Sequence, residues 1–327
     1  MVMLRSTKIS QLFPNKKILI PFLRRTSSCK IVEVGPRDGL QNEPRLVSTQ
    51  AKVTLINQLV NAGCKNIEVG AFVSPKWVPQ MADSLQILSL LPRKQHEGVK
   101  YSCLVPNIEG MLQAVENANC NEVAIFASAS ESFSRKNINC SIEESMGRFL
   151  PVMKLCRERN MPVRGYVSCV VACPYEGTID ASNVARVAEK LVDLGCYEIS
   201  LGDTIGVGTT NGVKDMLNAV KVSIPPRMLA VHFHDTYGQA LANIALSLDH
   251  EVKVIDSSIA GLGGCPYAKG ASGNVATEDV LYMLQGMGLE TNIDLEKMVD
   301  AGTFICGVLG RKPTSKVANA ILAKRVE

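Results

Sequence analysis

The stretch that decides the fold is Met228-Leu229-Ala230-Val231-His232-Phe233-His234-Asp235. Its first four residues form a short apolar run, which predicts a buried strand that ends in two histidines. Side chains alternate between the faces of a strand, so His232 and His234 should point the same way. Two imidazoles about 7 Å apart on a rigid strand could both bind one metal ion. Two histidines alone are a weak metal signal, however, and a purely structural pair fits the pattern equally well.

This strand is the seventh of eight similar runs that alternate with amphipathic segments. The predicted strands are residues 31–34, 66–71, 100–105, 122–126, 162–171, 197–201, 228–234 and 253–260. The predicted helices include residues 50–61, 142–159, 181–194, 212–222 and 278–285. Strands that alternate with helices at this spacing predict a parallel sheet. Eight such repeats over about 250 residues predict an α/β protein with a closed (β/α)₈ TIM barrel.

The repeat pattern predicts one catalytic domain over residues 30–290. Residues 291–327 should form an extension of one or two helices, packed on the barrel and broken at Gly307, Gly310 and Pro313. Gly63 and Gly195 are each followed by Cys just before a predicted strand, which indicates the same helix-to-strand turn twice.

The first 29 residues differ in composition from the rest of the chain. No acidic residue precedes Glu33, and seven residues before it are basic: Arg5, Lys8, Lys16, Lys17, Arg24, Arg25 and Lys30. With frequent Ser and Thr, this pattern predicts a mitochondrial transit peptide over residues 1–29 and a matrix enzyme; a basic N-terminus without a targeting role is the alternative. Without those seven charges, the net charge of +4 becomes −3, so no nucleic-acid partner is expected. No apolar run is long enough to predict a membrane protein.

The 11 cysteines are scattered and include no C-x-x-C pair. A zinc ribbon is excluded by this spacing, and a disulfide framework is not expected in so long a chain. Most of the thiols lie in apolar runs and should be buried. Cys265 differs, because it lies in the Gly-rich stretch 261–270 close to Lys269, which favours a reactive thiolate over a structural thiol.

Polar residues cluster at the ends of the predicted barrel strands, where TIM-barrel active sites lie. They are Arg37, Asp38 and Gln41 after the first strand, Glu68 on the second, Asp203 at the sixth, His232 and His234 on the seventh, and Asn274 after the eighth. Because the barrel closes, the first strand neighbours the eighth, and the seventh lies beyond it. Asp38, both histidines and the amide oxygen of Asn274 could therefore surround one ion and leave two positions open. This donor set suits Mg²⁺ or Mn²⁺, whereas zinc more often takes three histidines or thiolates.

Each of these residues also has a plainer explanation. Asp38 could cap the turn before Gly39, and Asn274 could be a turn residue. Arg37 could form a structural ion pair with Glu68 or Glu43, although the same guanidinium could stabilise a developing enolate beside the metal.

Several longer motifs resemble the 3-hydroxy-3-methylglutaryl-CoA lyase family of DRE-TIM metallolyases. They are residues 34–43, 74–80, 202–206, 232–235, 261–268 and 273–274, and the resemblance runs from about residue 31 to residue 320. It implies a divalent-metal-dependent cleavage of an acyl-CoA substrate, 3-hydroxy-3-methylglutaryl-CoA, to acetyl-CoA and acetoacetate. That reaction belongs to leucine breakdown and ketone-body formation, and a homodimer is expected.

The resemblance also implies roles for individual residues. The implied metal ligands are Asp38, His232, His234 and Asn274. Arg37 would polarise the thioester carbonyl and stabilise the enolate, with Gln41 beside it in substrate binding. Cys265 would transfer a proton, and Glu68 and Asp203 would be supporting carboxylates.

Two other functions compete with this interpretation. Claisen-type condensing enzymes, of the isopropylmalate or citramalate synthase kind, share the Arg-Asp and His-x-His elements. They carry a further regulatory domain and lack the loop motif around Cys265. A barrel that serves only as a binding protein would require the polar cluster to be vestigial, whereas every expected site residue is present.

Overall fold

A computed structural model of the chain describes residues 28–92, 95–116, 119–263 and 273–325. Within these ranges, eight parallel strands close into a barrel in which each strand pairs with its neighbours in the sequence. They are β1 Lys30–Glu33, β2 Asn66–Ala71, β3 Lys100–Leu104, β4 Glu122–Ser128, β5 Val163–Ser168, β6 Glu198–Asp203, β7 Leu229–Phe233 and β8 Val254–Ser257. The predicted (β/α)₈ barrel is therefore confirmed.

Helices surround the barrel and connect its strands. They are α1 Thr49–Ala62, α2 Ser84–Leu90, α3 Ile108–Val115, α4 Glu131–Ile138, α5 Ile142–Glu158, α6 Ala181–Leu194, α7 Thr210–Val220, α8 Ala240–Asp249, α9 Thr277–Gly286, α10 Leu295–Leu309 and α11 Lys316–Arg325. The strands read as nearly continuous apolar runs because the helices bury their outer face while the interior buries the other.

Glycines end the helices where the sequence predicted it. Gly63 and Gly195 adopt left-handed conformations, with φ of 109° and 110°, at the ends of α1 and α6. The N–H of the cysteine that follows each glycine, Cys64 or Cys196, then donates to a carbonyl of the last helical turn. The chain thus enters β2 and β6 through the same turn.

Three predicted boundaries are corrected by the structure. The fifth strand ends at Ser168 instead of residue 171, because Cys169 takes a left-handed φ of 61° that extended backbone does not allow. The eighth strand ends at Ser257, and a short turn over Ile259–Gly261 follows it. The break predicted at Gly307 is wrong: α10 runs through that residue and ends at Gly310, where φ is 73°. A glycine inside a helix costs only about 1 kcal/mol, which the packing of α10 outweighs.

The extension packs on the outside of the barrel. In α10, Met298 is fully buried, and its sulfur lies 3.8 Å from the Cys64 thiol, which follows α1. Arg325 of α11 donates to Asp300 and Glu296 of α10, which joins the last two helices.

The folded body includes the residues just before β1. Ser28 bridges to Glu290, and the Cys29 N–H donates to the Glu290 carbonyl at 2.9 Å. The earlier part of the predicted transit peptide, residues 1–27, lies outside the described residues. The ten cysteines that the structure describes are all buried and free of disulfides, as expected. In the described ranges, no helix is both long and apolar enough to cross a membrane.

Candidate metal and active site

A cavity of about 920 Å³ lies at the carboxyl ends of the barrel strands. Its floor includes Arg37, Asp38 and Gln41 from the turn after β1, and His232 and His234 from the end of β7. The barrel topology thus brings together side chains that are almost 200 residues apart in the sequence. This is the end of the barrel at which the sequence predicted chemistry.

Three side chains on this floor form a donor cluster that could hold a metal ion. One donor atom each from Asp38, His232 and His234 lies within 4.8 Å of the other two. The two Nε2 atoms of the histidines are 3.3 Å apart, and His232 Nε2 is 3.7 Å from Asp38 Oδ2. The alternation of side chains along β7 and beyond it aims both imidazoles at the same point.

A buried carboxylate sets the orientation of His232. Its Nδ1 lies 3.3 Å from Asp256 Oδ2, so Nδ1 carries a hydrogen and the ring turns Nε2 toward the cluster. Asp256 is itself fixed by two hydrogen bonds from Arg164, at 2.9 and 2.6 Å, and one from Ser200 at 2.7 Å. Burial lowers the pKa of His232, but the bond to Asp256 and the charge of Asp38 raise it overall.

The protonation states of His234 and Asp38 fit a divalent cation. Burial and the neighbouring His232 lower the pKa of His234 to about 4, so its ring is neutral at pH 7. Burial raises the pKa of Asp38, but Arg37 and the histidines outweigh it and bring the pKa to about 2. A neutral imidazole and an ionised carboxylate are the forms that bind metal. Two Nε2 atoms that face each other can share at most one hydrogen between them, whereas one cation satisfies both.

Asn274 reaches this cluster through its amide nitrogen. Nδ2 donates to Asp38 Oδ2 at 2.8 Å and to the Leu262 carbonyl at 3.2 Å, while the backbone of Asn274 pairs with His234. The predicted metal ligand is instead the amide oxygen of Asn274. In this orientation, the nitrogen faces Asp38 and holds its carboxylate in place.

Arg37 joins the cluster to a second buried carboxylate. Its Nη1 donates to Asp38 Oδ1 at 2.6 Å, and its Nε and Nη2 lie 2.8 and 2.6 Å from Glu68 Oε2. Burial lowers the pKa of Arg37, but these carboxylates raise it, so the guanidinium stays charged. Gln41 donates to the same Asp38 Oδ1 at 2.9 Å. Arg37 therefore forms the predicted ion pair with Glu68 and lines the cavity at the same time.

The remaining predicted site residues lie farther from the cavity. Glu68 is fully buried under Arg37, and burial raises its pKa despite that ion pair. Asp203 is also fully buried; its Oδ2 accepts from the Gly208 N–H at 2.7 Å, and burial raises its pKa. Neither side chain lines the cavity. Cys265 and Lys269 lie outside the described residues.

Sequence comparison identifies the family to which this site belongs. The sequence model of the HMGL-like family matches residues 28–305. This chain belongs to the HMGL-like family. A similar protein, the cytoplasmic 3-hydroxy-3-methylglutaryl-CoA lyase of Rattus norvegicus, is 58% identical over 298 residues, which cover 91% of this chain and 86% of that one. The mitochondrial hydroxymethylglutaryl-CoA lyase of Macaca fascicularis is 58% identical over 291 residues, which cover 89% of each chain.

Solved structures agree with this family assignment. The crystal structure of hydroxymethylglutaryl-CoA lyase from Pseudomonas aeruginosa matches with a TM-score of 0.89 and 53% identity, over 91% of this chain and 98% of that chain. All three relatives are named as lyases, which favours the predicted lyase over a condensing synthase. The predicted membership of the 3-hydroxy-3-methylglutaryl-CoA lyase family is therefore confirmed.

Sequence reasoning missed several residues that complete this HMGL-like site. Tyr166 lines the cavity, donates to Glu68 Oε2 at 3.3 Å and packs edge-on against the His232 ring. Asp256 and Arg164 support His232 from inside the barrel. Each is the charged residue of a strand that is otherwise apolar or uncharged. Because a buried charge requires a partner, such a residue could have been recognised in the sequence as part of an ion pair. The pairing itself joins strands 92 residues apart and could not be read from one sequence.

A substitution at Asp256 tests the support of His232. We expect Asp256→Asn to weaken Mn²⁺ binding about 10- to 100-fold, because His232 loses the anionic partner that fixes its tautomer. Calorimetric titration with Mn²⁺ measures the change. Ser200→Ala is the matched control, since it removes one hydrogen bond but keeps the carboxylate. Equal affinity in Asp256→Asn and the wild type would contradict this role.

Proposed function

We propose that this chain is a divalent-metal-dependent lyase that cleaves 3-hydroxy-3-methylglutaryl-CoA to acetyl-CoA and acetoacetate. The observation that carries the proposal is the Asp38–His232–His234 cluster beside Arg37, in a chain 58% identical to relatives of that name. The reaction would serve leucine breakdown and ketone-body formation.

The cleavage requires two proton transfers around one carbon–carbon bond. The tertiary hydroxyl must lose its proton as the bond between carbons two and three breaks, and the enolate of the leaving acetyl-CoA must gain one. Arg37 is placed to bind the thioester oxygen, because its guanidinium stays charged and borders the cavity. A fixed cation there stabilises the negative charge that develops on that oxygen.

The metal group would be Asp38, His232, His234 and Asn274, with Mg²⁺ or Mn²⁺ as the ion. When bound, such an ion polarises the substrate hydroxyl and orients the substrate. One carboxylate and two imidazoles leave positions for oxygen ligands, as hard divalent cations prefer. Asn274 would bind through its oxygen only after its amide turns over, which would break the bonds that Nδ2 donates to Asp38 and to the Leu262 carbonyl. Glu68 and Asp203 would act as supporting carboxylates, and Gln41 would help to bind the substrate.

The cavity also contains basic side chains that suit the phosphate groups of an acyl-CoA. Basic side chains of α4 and α5, Arg135, Lys136 and Arg148, line the same cavity as the donor cluster. Arginine and lysine are the side chains that bind phosphate groups in proteins. A substrate with its acyl end at Asp38 could therefore place its phosphates toward these three cations.

Cys265 would transfer a proton, so its removal should affect turnover and not metal binding. We expect Cys265→Ala to lose most activity, about 100-fold or more, as is typical for the loss of a general acid or base. Mn²⁺ affinity should match the wild type. Steady-state turnover and a metal titration of the same preparation test both parts, with Cys140→Ala as a control thiol. Near wild-type turnover in Cys265→Ala would contradict the role.

The proposed setting is the mitochondrial matrix, and the proposed assembly is a homodimer. The basic, acid-free composition of residues 1–29 supports import, although the relatives include both mitochondrial and cytoplasmic proteins. Fusion of residues 1–29 to a reporter tests the import, and sedimentation equilibrium tests the assembly.

The decisive experiment is an assay for acetoacetate release from 3-hydroxy-3-methylglutaryl-CoA. We expect turnover with Mg²⁺ or Mn²⁺, loss of turnover with a chelator, and recovery after the metal is restored. The same protein incubated with acetyl-CoA and 2-oxoacids tests the condensing alternative. Activity that persists in the chelator, or condensation without cleavage, would overturn the proposal.

A further inference from the structure

Two buried carboxyl groups lie outside the cavity and have no part in the proposed chemistry. Glu33 ends β1 and Glu278 lies in the first turn of α9, and both are fully buried. In the described part of the chain, neither forms an ion pair with a basic side chain. Burying a carboxyl group without such a partner is costly unless its oxygens are hydrogen-bonded. Their position therefore calls for an explanation from their contacts.

Glu33 joins the two loops that flank the donor cluster. Its Oε1 accepts from the N–H groups of both Gly35 and Ile259, each at 2.8 Å. Gly35 begins the turn Gly35–Gly39, which carries Arg37 and Asp38, and Ile259 begins the turn after β8. The second oxygen, Oε2, accepts from the Thr277 hydroxyl at 2.6 Å, which anchors the carboxyl to α9.

Glu278 holds the same turn after β8 at the next residue. Both of its oxygens lie within hydrogen-bonding distance of the Ala260 N–H, at 3.0 and 2.9 Å. Ala260 has a φ of 55°, a left-handed conformation that costs energy for a residue with a side chain. The Ala260 carbonyl accepts from the N–H and the hydroxyl of Thr314, at 3.1 and 3.0 Å. The strained residue is thus held from both sides.

The two turns also meet on the side of the cluster. The carbonyl of Leu262, two residues after Ala260, accepts from Asn274 Nδ2, and the same nitrogen donates to Asp38. Gly39 packs directly on this segment, because a Cβ there would lie 2.8 Å from the Leu262 Cβ. The turn Gly35–Gly39 and the turn after β8 are therefore joined at two places. Glu33 bonds to both of them at one place, and Asn274 links Asp38 to Leu262 at the other.

We propose that Glu33 and Glu278 are positioning residues that fix the Arg37–Asp38 turn against the turn after β8, and so hold Asp38 and Asn274 in register with the two histidines. They act because their carboxyl oxygens are close enough to accept hydrogen bonds from the backbone N–H groups, and not because they are charged. The inference rests on the function proposed above, and it adds the groups that keep that site in its geometry.

The protonation of the two groups agrees with a role in geometry. Burial raises the pKa of Glu33 to about 7 and, with the neighbouring Glu33, that of Glu278 to about 8. Either form of Glu33 can accept from both N–H groups at Oε1, and a proton on Oε2 would face the Thr277 oxygen. A glutamine at this position can make the same contacts, because Thr277 can turn its hydrogen toward Ser257, whose oxygen is 2.9 Å away.

Two substitutions of Glu33 distinguish the effect of its side-chain length from the effect of its negative charge. Glu33→Asp keeps the carboxylate but withdraws it by about 1.5 Å, one carbon–carbon bond, so it cannot reach both N–H groups. We expect its turnover at saturating substrate to fall at least about tenfold, because small displacements of catalytic groups have large effects. Its Mn²⁺ affinity should fall about tenfold, as is typical when the support of a metal ligand is lost. Glu33→Gln loses the charge but keeps the reach, and should stay within about threefold of the wild type in both measurements.

The matched control is the same pair of substitutions at Glu122. That carboxyl group is 4% exposed and binds Tyr197 and Lys100 at the opposite end of the barrel. Glu122→Asp and Glu122→Gln should lower the unfolding temperature without changing turnover or Mn²⁺ affinity well below that temperature. A purely structural role for Glu33 would give this same result.

The outcomes distinguish the positioning role from the proposed function. Wild-type turnover and Mn²⁺ affinity in Glu33→Asp would overturn the inference, and so would equal losses in Glu33→Gln and Glu33→Asp. Glu278→Asp and Glu278→Gln repeat the comparison at the second carboxyl group and decide the matter if Glu33→Asp does not fold. Mn²⁺ titration needs no substrate, so a wild type that binds Mn²⁺ but releases no acetoacetate refutes only the proposed function.

Discussion

Replacement of Arg37 by glutamine is expected to lower turnover about 100- to 1,000-fold, the usual effect of removing a charged donor from a developing oxyanion. Arg37 lies on the cavity floor and keeps its charge through contacts with Asp38 and Glu68. Its guanidinium is thus oriented before the substrate arrives and needs no rearrangement during the reaction. Steady-state kinetics with saturating metal measure the loss.

The control for this variant must account for the carboxylate left behind. Without Arg37, the fully buried Glu68 loses its ion-pair partner, at a cost of about 3–5 kcal/mol in the free energy of unfolding. The double variant Arg37→Gln/Glu68→Gln removes both charges and should regain much of that stability while remaining inactive. Recovery of turnover in the double variant would show that Arg37 serves only to neutralise Glu68.

Replacement of Asp38 by asparagine is expected to weaken Mn²⁺ binding at least about 100-fold. The side chain keeps its size, but the donor cluster loses the negative charge that Asp38 contributes to it. A unit charge about 4 Å away is worth about 4 kcal/mol at an effective dielectric constant of 20, and about 1.4 kcal/mol corresponds to a tenfold change in affinity. High Mn²⁺ concentrations should restore part of the turnover.

Asp203→Asn provides the comparison for the metal titration. Asp203 is fully buried, whereas the Asp38 side chain is 14% exposed. Asp203 lies at the same end of the barrel but outside the three-donor cluster. Its substitution should leave Mn²⁺ affinity close to the wild type. If Asp38→Asn and Asp203→Asn behave alike, the ligand set is wrong.

The barrel could be predicted because the sequence features that indicate it involve residues close together in the chain. Each strand is a short apolar run, and glycines such as Gly63 and Gly195 mark helix ends through their backbone conformation alone. The errors arose where tertiary packing overrides a local preference. Gly307 remains helical because α10 packs against the barrel, and β5 ends early because Cys169 turns out of the extended region.

The site was predictable only in part, for the same physical reason. Asp38 follows β1, His232 lies in the last part of β7 and His234 follows that strand, and the closure of the barrel brings them together. The support of His232 by Asp256 and Arg164 depends on strand register and on rotamers, which have no local sequence signal. The direction of the Asn274 amide likewise depends on the Leu262 carbonyl, which the fold alone places within reach. Residue types thus predicted which side chains the fold brings together, whereas their orientations required the structure.

The burial of the thiols has a practical consequence for chemical labelling. All ten cysteines in the described ranges are buried, and burial raises the pKa of Cys156, Cys169 and Cys196 to about 12. Alkylation requires an accessible thiolate, so these sulfurs should react with iodoacetamide only when the protein unfolds. If the eleventh cysteine, Cys265, is the reactive thiol that its sequence context predicts, a fluorophore or spin label would attach there without prior removal of the others and would block the proton transfer proposed for it.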